Sequence, residues 1–315
     1  MSKPAIEPAP ASFSNPFVRY FAATRPAFLM ATLAACLLGQ AGAIYSGIQI
    51  QASTTVLTIL LALLVHAGVN VLNDYFDALN GTDAINTERL YPFTGGSRFI
   101  QNGVLTPKQT AYFGYLLLGV AILGGLWLSR QVGAGLLIIG AVGTFIGWAY
   151  SAAPLRLNGH GLGELCVLMG FLGIVVGADY VQRRTFSLEP LAVGMPYTLL
   201  VTNLLYINQF PDRKADAVAG KRHLVVRLPL DKAVMVYPIL AVLALAWLGL
   251  MLALGKLPMP SILSALPLLF SARAWWLLRQ FAATPAHLLP AIRLTLAAMM
   301  SHAFLLAFVL FWESS

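Results

Sequence analysis

Apolar runs of about 20 residues recur along the chain, separated by short polar stretches. Nine of them, near 27–47, 54–73, 110–129, 132–150, 163–182, 190–210, 233–254, 258–278 and 292–312, are long enough to cross about 30 Å of hydrocarbon as helices. A backbone in lipid must satisfy its own hydrogen bonds, so the pattern predicts an all-α, polytopic membrane protein. Residues 1–16, rich in Pro, Ala and Ser, read as a flexible tail, and 17–315 as one transmembrane domain. Two polar stretches, 78–109 and 217–232, are long for a membrane bundle, and long loops in compact folds are often lids or binding loops.

Composition agrees with the pattern. Of 315 residues, 58% are hydrophobic and 10% charged, where soluble domains carry about 25%; the mean hydropathy is +0.76. The net charge of +8 could suggest nucleic acid, but its placement excludes that reading. Alternate loops hold 16 of the 20 Lys and Arg residues, leaving Arg130, Arg183, Arg184 and Lys256 on the other side. The positive-inside rule then puts the N-terminus and both long loops in the cytoplasm and the C-terminus opposite. Cys36 and Cys166 fall inside predicted helices, which argues against a disulfide.

Only 12 residues are acidic, and four of them stand at the cytoplasmic ends of two predicted helices. The segments are Asn70-Val-Leu-Asn73-Asp74-Tyr-Phe-Asp77 and Asn208-Gln-Phe-Pro-Asp212-Arg-Lys-Ala-Asp216. Asn70 to Asn208 and Asp74 to Asp212 span the same 138 residues, which predicts two four-helix repeats plus a ninth helix, with a shared site between the halves. Residues three or four apart share a helix face. Asn70, Asp74 and Asp77 therefore form one stripe; Asn208, Asp212 and Asp216 form another if the helix continues past Pro211, which could instead break it. Asn73 adds an amide oxygen. Such a set suits Mg²⁺, an octahedral ion held by a few carboxylates, waters and substrate phosphates. One ion per segment, bridged by a diphosphate, would neutralise carboxylates that otherwise repel. Arg98, Arg156, Lys221, Arg222 and Arg89 are the nearby candidates for phosphate contact.

These residues resemble the UbiA superfamily of intramembrane prenyltransferases, from Arg25-Pro26 to about the ninth helix. Three stretches resemble its menaquinone branch, the 1,4-dihydroxy-2-naphthoate prenyltransferases: Asn73-Asp-Tyr-Phe-Asp77 with Gly81-Thr-Asp83, Gly95-Gly-Ser-Arg98-Phe-Ile-Gln-Asn-Gly103, and Asp212-Arg-Lys-Ala-Asp216-Ala-Val-Ala-Gly-Lys-Arg-His223. Tyr150-Ser-Ala-Ala-Pro154-Leu-Arg156 with Gly161-Leu-Gly-Glu164 resembles the family's motif after the fourth helix. The resemblance implies a helical bundle around a central cavity open to lipid, with two Mg²⁺ ions holding a polyprenyl diphosphate and an aromatic acceptor alkylated on ring carbon. It carries metal binding onto Asn70, Asp74, Asp77, Asn208, Asp212 and Asp216, and diphosphate binding onto Arg98, Arg156, Lys221 and Arg222. Asn158 stands where many members place Lys, and Asp179 where the naphthoate branch more often has a neutral residue.

Tyr75, Phe76, Tyr150 and Tyr206 are candidates to face an allylic cation. Asp179 and Arg183, four residues apart, predict an ion pair on a helix face. Glu164 suits a helix N-terminus or a substrate role, and Asp83 a turn cap or assistance to the metal. His66, His160, His223, His287 and His302 show no metal-ligand spacing; His223 alone is near the proposed phosphate site. A secondary transporter is the rival reading, but its carboxylates would lie near the bilayer midplane.

Overall fold

The structure, a computed structural model, describes residues 6–314. In chain order its helices are α1 (Pro16–Ala23), α2 (Pro26–Tyr45), α3 (Ala52–Leu79), α4 (Thr82–Ile85), α5 (Pro107–Val132), α6 (Gly135–Ser151), α7 (Gly163–Arg183), α8 (Glu189–Val218), α9 (Leu224–Arg227), α10 (Leu230–Ala253), α11 (Leu268–Phe281) and α12 (Leu289–Glu313). No strand occurs among the described residues. Helix starts follow local chemistry. Asn15 accepts from Phe17 N–H ahead of Pro16, and Thr106 and Gln109 form a reciprocal capping box at the head of α5.

Among the described residues, eight helical units are long and apolar enough to span a bilayer: α2, α3, α5, α7, α8, α10, Met259–Phe281 and α12. The ninth predicted run forms α6, whose 17 residues rise only about 26 Å at 1.5 Å per residue. Two helices outrun their apolar patterns. α3 continues to Leu79, so the whole first acidic segment is helical. α8 runs through Pro211 to Val218, so the second is helical too.

α8 is the central helix; 83% of its apolar window is buried. Its polar groups brace it to its neighbours. Tyr197 Oη donates to Ala31 O on α2 at 2.7 Å, Tyr206 Oη to Ala233 O on α10 at 2.7 Å, and Asn203 Nδ2 to Tyr237 O at 3.0 Å. Around it packs an apolar core from α2, α7, α10, α11 and α12, including Leu38, Leu248, Leu278 and Leu306. At the end of the bundle remote from the acidic segments, buried Asp179 receives two hydrogen bonds from Arg183, both 2.8 Å, as the four-residue spacing predicts. Gln182 beside it accepts from Gln51 N and donates to Thr54 and Thr55, tying α7 to the start of α3. Cys36 and Cys166 are both buried and free.

The described part of the N-terminal segment makes contacts with the loop that follows the first acidic segment. Glu7 accepts from Arg89 Nε at 2.7 Å and from Asn102 Nδ2 at 3.3 Å, and Arg98 Nε lies 3.8 Å away.

Candidate active site

A cavity of about 960 Å³ opens between α3, α5, α6, α7 and α8. One end is polar, built by the acidic segments and the two long loops; the rest is apolar. α3 contributes Asn70, Asn73 and Asp77 to the lining, and α8 contributes Asn208, Asp212 and Asp216. The helix running past Pro211 is what keeps the last two on the same face as Asn208. On the α5–α6 wall, Tyr115, Ile122, Leu126, Leu137 and Phe145 line the cavity and stay over two-fifths exposed, so no side chain fills it there.

Asp74 departs from the predicted stripe. It is not among the lining residues; it is buried against the loop, where its Oδ1 accepts from Ser97 N–H at 3.1 Å. The loop can come this close because Gly96 has φ +71 and no side chain: a Cβ there would sit 3.0 Å from Asp74 Oδ1 and against the Asp83 carboxylate. The loop then reaches across to the other segment, where Asn86 Nδ2 donates to Asp212 Oδ1 at 2.6 Å. Asn86 escaped the sequence reading because it belongs to neither acidic segment.

Lys221 joins the two segments. Its Nζ lies 3.0 Å from Asp77 Oδ1 and 3.3 Å from Asp216 Oδ1. Burial works against the ammonium, but the flanking charges of Asp77 and Asp216 outweigh it and push its pKa up. His223 Nε2 sits 2.9 Å from Asp216 Oδ2, and Asn73 and Asn80 donate to Asp77 at 3.2 and 3.1 Å. Asp83, read as a turn cap or an aid to the metal, is buried in the first turn of α4. Burial first, then the Asp77 and Asp74 charges, push its carboxyl up to about 8, with Lys221 opposing.

The other predicted phosphate ligands lie off the cavity. Arg98 is buried behind it, in a left-handed conformation (φ 67), donating to Asp83 O. Arg156 and Arg222 line a separate recess of about 250 Å³ with His160 and Arg227. Arg25, which donates to Phe93 O at 3.3 Å, does line the cavity and was not among the predicted ligands. Of the predicted aromatics only Tyr150 lines it; Tyr206 is spent bracing α10. Phe28, Phe93, Trp148 and Phe171 supply further rings. Glu164 begins α7 with both carboxylate oxygens buried and unpartnered.

The polar end suits a divalent cation in a particular way. Several residues of this end carry a buried oxygen without a hydrogen-bond partner: Asn208 Oδ1, Gln209 Oε1, Asp83 Oδ2 and Asn86 Oδ1. Yet no three His, Cys, Asp or Glu among the described residues form a ready-made metal cage. That is the donor set of an ion held by one or two carboxylates and completed by amides, water and a phosphorylated ligand.

Residues 28–289 match the model of the UbiA prenyltransferase family. The chain belongs to that family. It is 28% identical over 239 residues to a 1,4-dihydroxy-2-naphthoate octaprenyltransferase of Mycobacterium tuberculosis (strain ATCC 25618 / H37Rv), covering 75% of this chain and 79% of the relative. To a protein of the same name from Bacillus subtilis (strain 168) it is 24% identical over 205 residues, 64% of this chain. The chain spans 63% of the length of that relative. A solved UbiA homolog from Archaeoglobus fulgidus, bound to DMAPP and Mg²⁺, shares the fold with a TM-score of 0.64 at 14% identity, over 92% of this chain and 99% of the other.

Proposed function

We propose that this UbiA-family protein transfers a polyprenyl group from a polyprenyl diphosphate to an aromatic quinone precursor, namely 1,4-dihydroxy-2-naphthoate, with loss of its carboxylate as CO₂, in menaquinone biosynthesis. The observation that carries the reading is the meeting of two acidic helix ends at the polar mouth of an otherwise apolar cavity. The naphthoate relatives support the acceptor, and the Archaeoglobus homolog supports a prenyl diphosphate with Mg²⁺. A transporter would place its carboxylates near mid-membrane; here they sit in the last turns of α3 and α8.

Two Mg²⁺ ions are assigned to the polar end, with Asn70, Asn73 and Asp77 as donors from one segment and Asn208, Asp212 and Asp216 from the other, while Asp74 backs the first segment through its bond from Ser97 N–H. Bound there, Mg²⁺ supplies positive charge to the departing diphosphate. Lys221 supplies a further positive charge between the segments. Arg98 acts through the loop that it fixes at Asp83 O, while Arg156 and Arg222 sit one loop farther out. The C–O bond to diphosphate breaks with its electron pair on the leaving group. The allylic carbon then bonds to the ring carbon that loses CO₂. Apolar walls keep water from the cation, and Tyr150, Trp148 and Phe171 offer aromatic faces to it. The excess of Lys and Arg in these loops supports a cytoplasmic side for this end of the bundle and for the N-terminus.

The test uses the purified protein in lipid with a labelled polyprenyl diphosphate and either 1,4-dihydroxy-2-naphthoate or 4-hydroxybenzoate. The expected result is a decarboxylated prenyl-naphthalene product by mass, absent with EDTA and in Asp212→Ala. Prenylation of 4-hydroxybenzoate alone would overturn the acceptor assignment; metal-independent turnover would overturn the role of the acidic segments.

A further inference from the structure

Beyond the polar mouth the cavity walls are apolar, formed by Leu118, Ile122, Ile139, Phe171 and Ile174 among others. Thr58, whose hydroxyl donates to Thr54 O, and Thr144 add hydroxyls to these walls, and His66 adds an imidazole. His66 lines the cavity from α3, on the same face as Asn70, Asn73 and Asp77. It lies about 6 Å deeper than Asn70 along the helix axis.

Its ring is held on two sides. Thr32 Oγ1 of α2 lies 2.7 Å from Nδ1, and Phe171 meets the imidazole edge-on, with centroids 5.5 Å apart at 85°. The Thr32 contact also fixes the tautomer. Other buried threonines of this chain donate to the carbonyl one turn back, as Thr202 does to Thr198 O and Thr295 to Ala291 O. Thr32 is fully buried, and His66 Nδ1 is the one partner of its hydroxyl among the described residues. A buried hydroxyl hydrogen needs an acceptor, so Thr32 donates to Nδ1 and the imidazole proton resides on Nε2. That nitrogen has no partner among the described residues, yet it is not one of the sealed, unpartnered atoms of the interior. It opens on the cavity.

An aimed N–H donor in an apolar compartment calls for an oxygen from a ligand. The prenyl chain has none, and the diphosphate oxygens belong with the polar end. We propose that His66 Nε2–H donates a hydrogen bond to an oxygen of the aromatic acceptor, a hydroxyl or the carboxylate, and so turns the ring's reactive carbon toward the diphosphate. This assignment rests on the acceptor reading above.

A cycle on both protein and acceptor tests it. Wild type and His66→Leu in lipid nanodiscs receive Mg²⁺ and polyprenyl diphosphate with three acceptors: the dihydroxynaphthoate, its deoxy analogues each lacking one hydroxyl oxygen, and the diol lacking the carboxylate. His66→Leu should lower kcat/KM for the intact acceptor about 10–100-fold, the range of one desolvated hydrogen bond. The loss should fall mainly on the acceptor KM and leave the prenyl diphosphate KM unchanged. It should vanish for whichever analogue lacks the bonded oxygen, which tells hydroxyl from carboxylate. His66→Gln, which keeps an N–H at that point, should recover most of the activity. Thr32→Val, a milder change that leaves His66 in place, should give a smaller loss with the same acceptor dependence. An equal loss with all three acceptors, a shift in the prenyl diphosphate KM, or full activity in both His66→Leu and Thr32→Val overturns the assignment. Wild-type failure with every hydroxyaromatic would instead overturn the acceptor reading itself.

Discussion

Lys221 occupies the place between the acidic segments, and removing its charge should expose what it compensates. Its Nζ lies 3.0 Å from Asp77 and 3.3 Å from Asp216, and the three side chains are 9%, 11% and 7% exposed. The two carboxylates therefore lie within about 6 Å of each other across the ammonium. At that separation, two like charges in an effective dielectric of about 20 repel by about 3 kcal/mol. Breaking a buried pair by deleting one partner costs about 3–5 kcal/mol in measured cases, so the two routes agree. Lys221→Met should thus destabilise the metal-free protein by about 3–5 kcal/mol. At about 2–4 °C per kcal/mol, the melting temperature should fall by about 6–20 °C. If the same carboxylates hold Mg²⁺, the variant should regain more on adding Mg²⁺ than wild type does, because the cation then has no ammonium to displace. Intrinsic-fluorescence melts in detergent, with EDTA or saturating Mg²⁺, measure both quantities. A melting temperature within a degree of wild type in EDTA would refute the compensation. An equal Mg²⁺ response in both proteins would refute the shared site.

Three further outcomes follow from the loop. Gly96→Ala should cost about 1–2 kcal/mol of left-handed strain and lower kcat/KM for the prenyl diphosphate at least about tenfold, because the added Cβ meets Asp74 and Asp83; Gly47→Ala, with φ +79 but open space around it, should keep its activity. Asp83 has a folded-state pKa pushed up to about 8 from an ordinary 3.8, so its contribution to stability falls as pH rises between about 4 and 8; the melting temperature of metal-free Asp83→Asn should gain on wild type between pH 5 and 8, and a constant gap would refute this. Glu7 titrates below its ordinary value: partial burial opposes this, but hydrogen bonds from Arg89 and Asn102 outweigh it. Its tie is present above pH 4.5 and lost as pH falls through the depressed value. Being partly exposed, it is worth only about 0.2–1 kcal/mol, so Glu7→Gln should leave the melt nearly unchanged while hydrogen exchange across residues 89–102 speeds up at neutral pH.

The legible part of this protein is what one-dimensional pattern dictates. Eight apolar runs became full-length spanning units because lipid leaves a backbone no alternative. The acidic segments met because each lies in the last turns of its helix. The sequence reading stopped where side-chain direction depends on a partner element. Periodicity put Asp74 on the stripe with Asn70 and Asp77, but the close approach of Gly96 and Ser97 gave its carboxylate a backbone N–H elsewhere. Arg156 and Arg222 were grouped with Lys221 by charge, yet they line an outer recess and Lys221 lines the cavity. Pro211 could have ended α8; the helix instead continues in a segment packed on several sides. His66 had no metal-ligand spacing because its partners, Thr32 and Phe171, come from two other helices.

The stretch from Thr82 to Arg98 has the widest reach of any part of the polar end. It follows the first acidic segment in sequence, yet Asn86 bonds Asp212 of the second. Its far side returns to the first through Ser97 N–H and Asp74, and Arg98 closes it on itself at Asp83 O. Neither helix alone fixes the separation of the two carboxylate sets; this loop and Lys221 do so together. The two ties differ in kind. Lys221 holds the segments by charge, so a cation arriving with a diphosphate can take its place. The loop holds them by neutral N–H donors that no cation displaces. Charge compensation can therefore change hands when ligand binds while the geometry stays set, which is the condition for a preorganised site. On this argument Gly96→Ala should impair turnover even at saturating Mg²⁺, whereas the stability defect of Lys221→Met should shrink there.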